Sequence, residues 1–65
     1  MPAKAELATA EQIAEFMHTT TAKLAQDRYH RVGLPYVKHG RRVLYRWSDV
    51  HRYLDANTVV PGGAA

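Results

Sequence analysis

The stretch that decides the fold occupies residues 33–49 and reads GLPYVKHGRRVLYRWSD. Apolar and charged residues alternate on both sides of a glycine, which is typical of two short antiparallel strands joined by a turn. We expect the turn to span residues 38–42, with Gly40 supplying the positive φ that such a turn usually needs.

The alternation also predicts which side chains share a face of this hairpin. One face would carry Val37, Val43 and Tyr45. The opposite face would carry Lys38, Leu44 and Arg46.

Positive charge is concentrated around this stretch. The 65 residues carry nine lysines and arginines against six acids, for a net charge of +3. No acid occurs between Asp27 and Asp49, whereas six of the nine cations do: Arg28, Arg31, Lys38, Arg41, Arg42 and Arg46. A cationic centre between more acidic ends is typical of nucleic-acid binding. A solvated basic surface would have the same composition.

Length and composition favour one small domain. Without cysteine, neither a disulfide framework nor a thiolate metal site can hold the fold, so short elements must pack through apolar side chains. The lack of cysteine fits a reducing cytoplasm. The chain shows no signal-peptide pattern and no apolar run near the roughly 20 residues of a membrane span, so we expect a cytoplasmic protein.

Two short helices are expected before the hairpin. Thr9 and Gln12 have the spacing of a capping box for a helix over residues 10–17. Thr20 is the expected N-cap of a second helix, over residues 21–29 or one residue longer. The expected inward side chains are Ile13, Ala14, Met17 and Leu24. Two such helices joined by a turn of two or three residues form a helix-turn-helix pattern.

A third helix is expected after the hairpin, capped by Ser48 and followed by Asn57 at its C′ position. Its inner stripe would be Val50, Tyr53 and Leu54. Leu7 is expected to be buried as a one-residue strand beside the hairpin. The domain would then span residues 7–56, between a flexible leader (1–6) and a flexible tail (57–65).

This order of parts resembles the small winged-helix family that includes phage excisionases and related prophage regulators. It is also similar in outline to the DNA-binding half of MerR-type proteins. The resemblance covers roughly residues 7–54, and its most specific piece is GRRVLYRWSD at residues 40–49. The matching residues are Leu7, Thr9, Ala14, Met17, Thr20, Leu24, Arg28, Gly33, Pro35, Gly40, Arg41, Arg42, Val43, Tyr45, Ser48 and Asp49.

Two positions depart from the family pattern. Relatives often carry an aromatic residue where this chain has Asp27, and a glycine where it has Arg31. We expect Tyr29 to supply the missing aromatic packing.

The resemblance implies a small α+β protein with a winged helix-turn-helix fold: three short helices and a β-hairpin wing. It implies an accessory factor rather than an enzyme. Excisionases, also called recombination directionality factors, bind repeated sites beside a phage attachment site, bend the DNA and direct an integrase toward excision. The implied partners are double-stranded DNA, an integrase and further copies of the chain bound head to tail, in the cytoplasm of a bacterial host.

The residues expected to contact DNA form two groups. The recognition-helix group lies at the start and on the open face of the second helix, where glutamine can pair with adenine and lysine with guanine. It comprises Thr20, Thr21, Lys23, Gln26 and, for phosphates, Arg28. The wing group suits a narrow minor groove, which favours arginine electrostatically. It comprises Lys38, His39, Gly40, Arg41, Arg42 and, for phosphates, Arg46.

No cofactor, metal or catalytic site is expected. The four histidines lie on four different elements, without cysteine or a short ligand spacing, and no nucleophile, base and orienting acid form a recognisable set. Two alternatives stay open. One is a small prophage transcriptional regulator on the same fold. The other, from a different class, is a protein-interaction module whose basic face docks an acidic partner.

Overall fold

A computed structural model describes residues 6–62, which form three helices and a three-stranded antiparallel sheet, a small α+β fold as expected. The elements in chain order are β1 (Leu7–Thr9), α1 (Ala10–Phe16), α2 (Thr21–Tyr29), β2 (Val37–His39), β3 (Arg42–Arg46) and α3 (Trp47–Ala56). Among these residues, no helix is long and apolar enough to cross a membrane.

The first two helices begin where their capping residues predict. At the start of α1, the Thr9 amide donates to the Gln12 side-chain oxygen at 2.9 Å and the Gln12 amide donates to the Thr9 hydroxyl at 3.1 Å, which completes the capping box. At the start of α2, the Thr20 hydroxyl accepts from the Lys23 amide at 3.0 Å. Both expected caps are confirmed.

Both helices end in a left-handed residue that is not glycine. His18 and Arg31 have φ values of 59° and 60°. At the end of α2, the Val32 amide donates to the Asp27 carbonyl and the Arg31 amide to the Arg28 carbonyl, at 2.9 and 3.0 Å. This is the bonding of a Schellman motif, in which glycine is the usual residue at the position of Arg31. Arg31 therefore occupies a position whose backbone favours glycine.

The sheet has the order β1-β3-β2, and its register corrects the expected hairpin turn. His39 pairs with Arg42, so the turn consists of Gly40 and Arg41 alone. Gly40 has φ 63° and Arg41 is not left-handed, as in a two-residue type II′ hairpin turn. Lys38, His39 and Arg42 belong to the paired strands, not to the five-residue turn expected from the sequence.

The expected faces of the hairpin are wrong for the same reason. A turn shorter than expected moves the pairing by one residue along one strand, and one residue of slip exchanges the two faces of that strand. Val37 pairs with Leu44 and shares its face, whereas Lys38 pairs with Val43 and lies on the face of Tyr45.

The first strand is longer than expected and buries a different residue. Ala8 pairs with Tyr45 on the face that the helices cover, and both side chains are buried. Leu7 pairs with Arg46 on the other face and remains 44% exposed. The expectation of a single strand residue, with Leu7 buried, is therefore wrong.

The core lies between the sheet and the three helices. Its largest fully buried side chains are Tyr45, Ile13 and Val50. The expected inward residues Ala14 and Leu24 are also buried, and Met17, Tyr53 and Leu54 pack against this core from its edge. Tyr29 does not fill the core as expected, because its side chain is 83% exposed. Leu34, in the segment between α2 and β2, is buried.

The third helix follows β3 without a break. Its N-cap is Arg46, which makes no side-chain capping bond, so the expected cap by Ser48 is wrong. The Ser48 hydroxyl instead donates to the Glu6 carboxylate at 2.6 Å, and the Trp47 amide donates to the Glu6 carbonyl at 2.8 Å. Asn57 is the C-cap, with φ −103°, rather than a left-handed C′ residue.

The segments outside these elements are described only in part. Residues 1–5 of the expected leader and 63–65 of the expected tail lie outside the described residues. Within the described part, the Thr58 hydroxyl donates to the Leu54 carbonyl at 2.7 Å, and Val59 and Val60 are exposed.

Candidate nucleic-acid interface

The open face of α2 is exposed along its length. Thr20, Thr21, Lys23 and Gln26 all lie at the surface. Thr20 uses its hydroxyl as the helix cap, so only its second lone pair and its O–H are available to a ligand. The Lys23 ammonium pairs with the Asp27 carboxylate at 3.0 Å, an exposed i,i+4 pair of the kind that contributes about 0.3–0.5 kcal/mol. A ligand can therefore replace Asp27 as the partner of Lys23 at small cost.

Arg28 joins α2 to the hairpin. Its guanidinium donates to the Tyr45 hydroxyl at 2.6 Å and lies over the Tyr36 ring, 5.8 Å from the centroid. Tyr45 is only 1% exposed, so the core fixes the hydroxyl that Arg28 contacts. Among the residues expected to contact DNA, Arg28 is half-buried and held in place by two aromatic side chains.

Residues 37–46, which we call the basic hairpin, distribute their positive charges over the tip and both faces. Arg41 is in the turn, and the register places His39, Arg42 and Arg46 on the outer face, away from the helices. Lys38 lies on the inner face, beside Val43. Both ion pairs within residues 6–62 are inside α2 or α3, so no described carboxylate neutralises the basic hairpin.

A cleft of about 300 Å³ brings the two expected groups together. Arg28 of α2 lines it together with Arg41 and Arg42 of the basic hairpin. Thr9 and Glu11, at the start of α1, form the other side. We call this site the arginine cleft. Three arginines and one glutamate are among the residues that line it, so the lining carries a net positive charge.

Two exposed residues near this surface were not among the expected contacts. Tyr29 follows Gln26 by three residues, a spacing that places both on one side of a helix, and it projects into solvent. Arg31 and Tyr36 line a groove of about 550 Å³ that also includes Arg28. The helical period could have identified Tyr29, whereas Arg31 depends on the left-handed backbone that ends α2.

An aromatic cluster lies on the other helices. The Phe16 ring meets the Trp47 ring edge-on at 5.1 Å, and His51 lies 5.9 Å from Phe16 and 6.1 Å from Trp47. Trp47 is half-buried and packs against the core. Among residues 6–62, no three His, Cys, Asp or Glu side chains are placed to hold a metal ion.

No family model, curated protein or solved structure matches the chain.

Proposed function

We propose that this chain is a winged helix-turn-helix protein that binds double-stranded DNA. In this proposal α2 enters the major groove through Lys23 and Gln26, and the basic hairpin follows the backbone beside it as the wing. The arginine cleft carries the proposal. It brings Arg28 of α2 together with Arg41 and Arg42 of the basic hairpin, and cationic surfaces of this kind attract phosphates.

Within this class we propose an excisionase, a factor that bends DNA and directs an integrase toward prophage excision in a bacterial cytoplasm. The support is the resemblance of residues 7–54 together with the small size of the domain that these residues form. A module this small covers roughly 600–1,000 Å² of protein surface on DNA, too little for a tight and selective complex with one copy. Contacts between copies arranged head to tail do not close, so they would propagate along arrayed sites.

A circular-permutation gel on DNA that carries one, two or four selected sites tests the excisionase proposal. We expect cooperative filling and a bend that grows with the number of sites, because bends spaced in phase add. Independent filling with no change in mobility would leave a simple regulator on the same fold.

A competition assay separates DNA binding from an acidic-partner module. The proposed function predicts that unlabelled duplex displaces a labelled duplex far better than polyglutamate does, at equal negative charge. The same competition with Arg52→Gln should give the wild-type result, because Arg52 is exposed, pairs with Asp49 within α3 and is not among the residues expected to contact DNA. Equal displacement by the two polymers would contradict DNA binding.

A further inference from the structure

We propose that the arginine cleft is a pocket for a single DNA backbone phosphate, with Arg28 as its central ligand and the Tyr45 hydroxyl as the group that positions Arg28. The inference rests on the proposed DNA binding and adds to it. It assigns one site within the basic surface to one phosphodiester group, and it gives a core tyrosine a part in binding.

The first support is the way Arg28 is held. A guanidinium has five N–H donors, and the structure records one of its bonds, to Tyr45 at 2.6 Å. The guanidinium also lies over the ring of Tyr36, and the distance from its central carbon, Cζ, to the ring centroid is 5.8 Å. An arginine held in this way keeps N–H donors for a second oxygen ligand and loses little side-chain freedom when that ligand binds.

The second support is the convergence of charge. Arg28, Arg41 and Arg42 come from two elements that are far apart in the chain, yet they line one cleft. No carboxylate lies within 4.0 Å of any of them among the described residues, although Glu11 lines the same cleft. A phosphate in a cleft lined by three arginines can accept charge-assisted hydrogen bonds from them, and its negative charge offsets their mutual repulsion.

The geometry favours a backbone phosphate over a base edge. The cleft is lined by Arg28, by the start of α1 and by the basic hairpin, and neither Lys23 nor Gln26 of the open face lines it. Arginine fits phosphate oxygens with two parallel N–H donors. Contacts of this kind set the position of a protein on the duplex without reading sequence.

Two substitutions separate charge from positioning. Arg28→Met keeps most of the apolar stem and removes the charge. Tyr45→Phe keeps the buried ring and the Arg28 charge, and removes only the hydroxyl. The matched controls are Arg52→Met and Tyr53→Phe on α3, which lie outside the cleft. Thermal unfolding of each variant checks that it folds.

The experiment measures affinity for a short duplex over a range of salt concentrations. We expect Arg28→Met to lower affinity roughly 10–100-fold, as expected for losing a charge-assisted bond, and to flatten the salt slope by about 0.9, as for one lost phosphate contact. Tyr45→Phe should lower affinity roughly 2–10-fold through lost preorganisation, with the salt slope unchanged because the charge remains.

A double-mutant cycle tests whether one phosphate is shared. If Arg28 and Arg41 contact the same phosphate, the double Met variant loses at least about 3-fold less affinity than the product of the two single losses. Multiplicative losses would show that the two arginines contact different phosphates, and would overturn the single-phosphate pocket.

The outcomes distinguish the cleft from the proposed function. If the wild-type chain binds duplex and Arg28→Met has the same affinity and salt slope as Arg52→Met, the arginine cleft is not a phosphate pocket, although the chain still binds DNA. If the wild-type chain does not bind duplex, the proposed DNA binding and the proposed phosphate pocket are both wrong. In a parallel titration followed by the side-chain NMR signal of Arg28, saturation by millimolar inorganic phosphate would identify a free-anion site and overturn the assignment to DNA.

Discussion

At the scale of single residues, the backbone shows where the chain tolerates strain. Arg31 ends α2 in a left-handed conformation, φ 60°, that costs a residue with a side chain roughly 1–2 kcal/mol relative to glycine. A substitution by glycine would remove this cost, but part of the gain in stability would be lost because glycine loses more conformational freedom on folding. Arg31 is exposed and makes no recorded side-chain hydrogen bond or ion pair within the described part of the chain.

We therefore expect Arg31→Gly to raise the free energy of unfolding by about 0.5–1 kcal/mol. Urea denaturation measures this change. The control is Ala25→Gly, within α2, which should lower the free energy of unfolding by about 1 kcal/mol. A loss of stability in Arg31→Gly would contradict the left-handed end of α2.

Asp27 forms an ion pair with Lys23, a residue of the α2 face that we propose reads the DNA sequence. Its carboxylate holds Lys23 at 3.0 Å and adds negative charge beside the proposed DNA surface. Asp27→Asn should raise duplex affinity by roughly 3–10-fold, since a like charge facing phosphate is removed and Lys23 is released. The cost to the free energy of unfolding should be about 0.3–0.5 kcal/mol.

Asp49→Asn is the control for that change. It breaks the corresponding pair with Arg52 on α3, at 2.9 Å, and removes the same charge from a helix that carries none of the residues expected to contact DNA. Equal gains in affinity from the two substitutions, measured by fluorescence anisotropy at one salt concentration, would show only an effect of net charge.

At the scale of elements, α2 and the basic hairpin should respond differently to mutation. Gln26→Ala should reduce discrimination between a selected and a scrambled site by about 1–3 kcal/mol, as expected for a lost base contact. Arg41→Ala should weaken binding to both sites by similar factors, because phosphate contacts carry no sequence information. Anisotropy titrations of both duplexes measure the two effects, and equal loss on both from Gln26→Ala would remove α2 from the reading role.

Arg46 has two roles that favour different residues, because it is the N-cap of α3 and is also expected to contact a DNA phosphate. Arg46 occupies the N-cap with an extended backbone and no side-chain bond, although Asn, Asp and Ser are preferred there. Arg46→Asn should raise the free energy of unfolding by about 1 kcal/mol and lower duplex affinity, because it adds a cap and removes a cation. Denaturation and binding are measured on the same preparation.

Arg42→Asn is the matched control on the same outer face of the hairpin. It removes the same charge where no helix begins, so affinity should fall without any gain in stability. A similar gain in stability from both substitutions would mean that relief of charge repulsion, not capping, stabilises the Arg46 variant.

Elements fixed by local bonding were predictable from the sequence, and those fixed by distant contacts were not. The caps at Thr9 and Thr20 depend on residues three positions away, so their spacing was enough. The strand pairing depends on whether the turn has two residues or five, and Gly40 fits either length. The partner of Ser48 is Glu6, 42 residues earlier in the chain, and no local pattern could indicate that bond.

The same distinction applies to the candidate site. The residues of the two expected groups could be named from composition and helical period, but their arrangement could not. Only the folded chain shows that Arg28 donates to the Tyr45 hydroxyl and shares a cleft with Arg41, and that Tyr29 is exposed rather than packed. Each of these facts depends on how α2 packs against α1 and the core.

At the scale of the whole molecule, we propose that the basic surface binds the DNA backbone. The chain has a net charge of +3, and six of its nine cations lie between Asp27 and Asp49, with no acid among them. If four to six of them contact phosphates, each contact releases counterions when the complex forms. Association should then weaken steeply as salt rises.

The most direct measurement is therefore the affinity for a short random duplex as a function of salt concentration. We predict a slope of log affinity against log salt of roughly −4 to −5 per monomer, at about −0.9 per phosphate contact. A slope near zero, or no binding at low salt, would contradict the proposal that this chain binds DNA through its basic hairpin and α2.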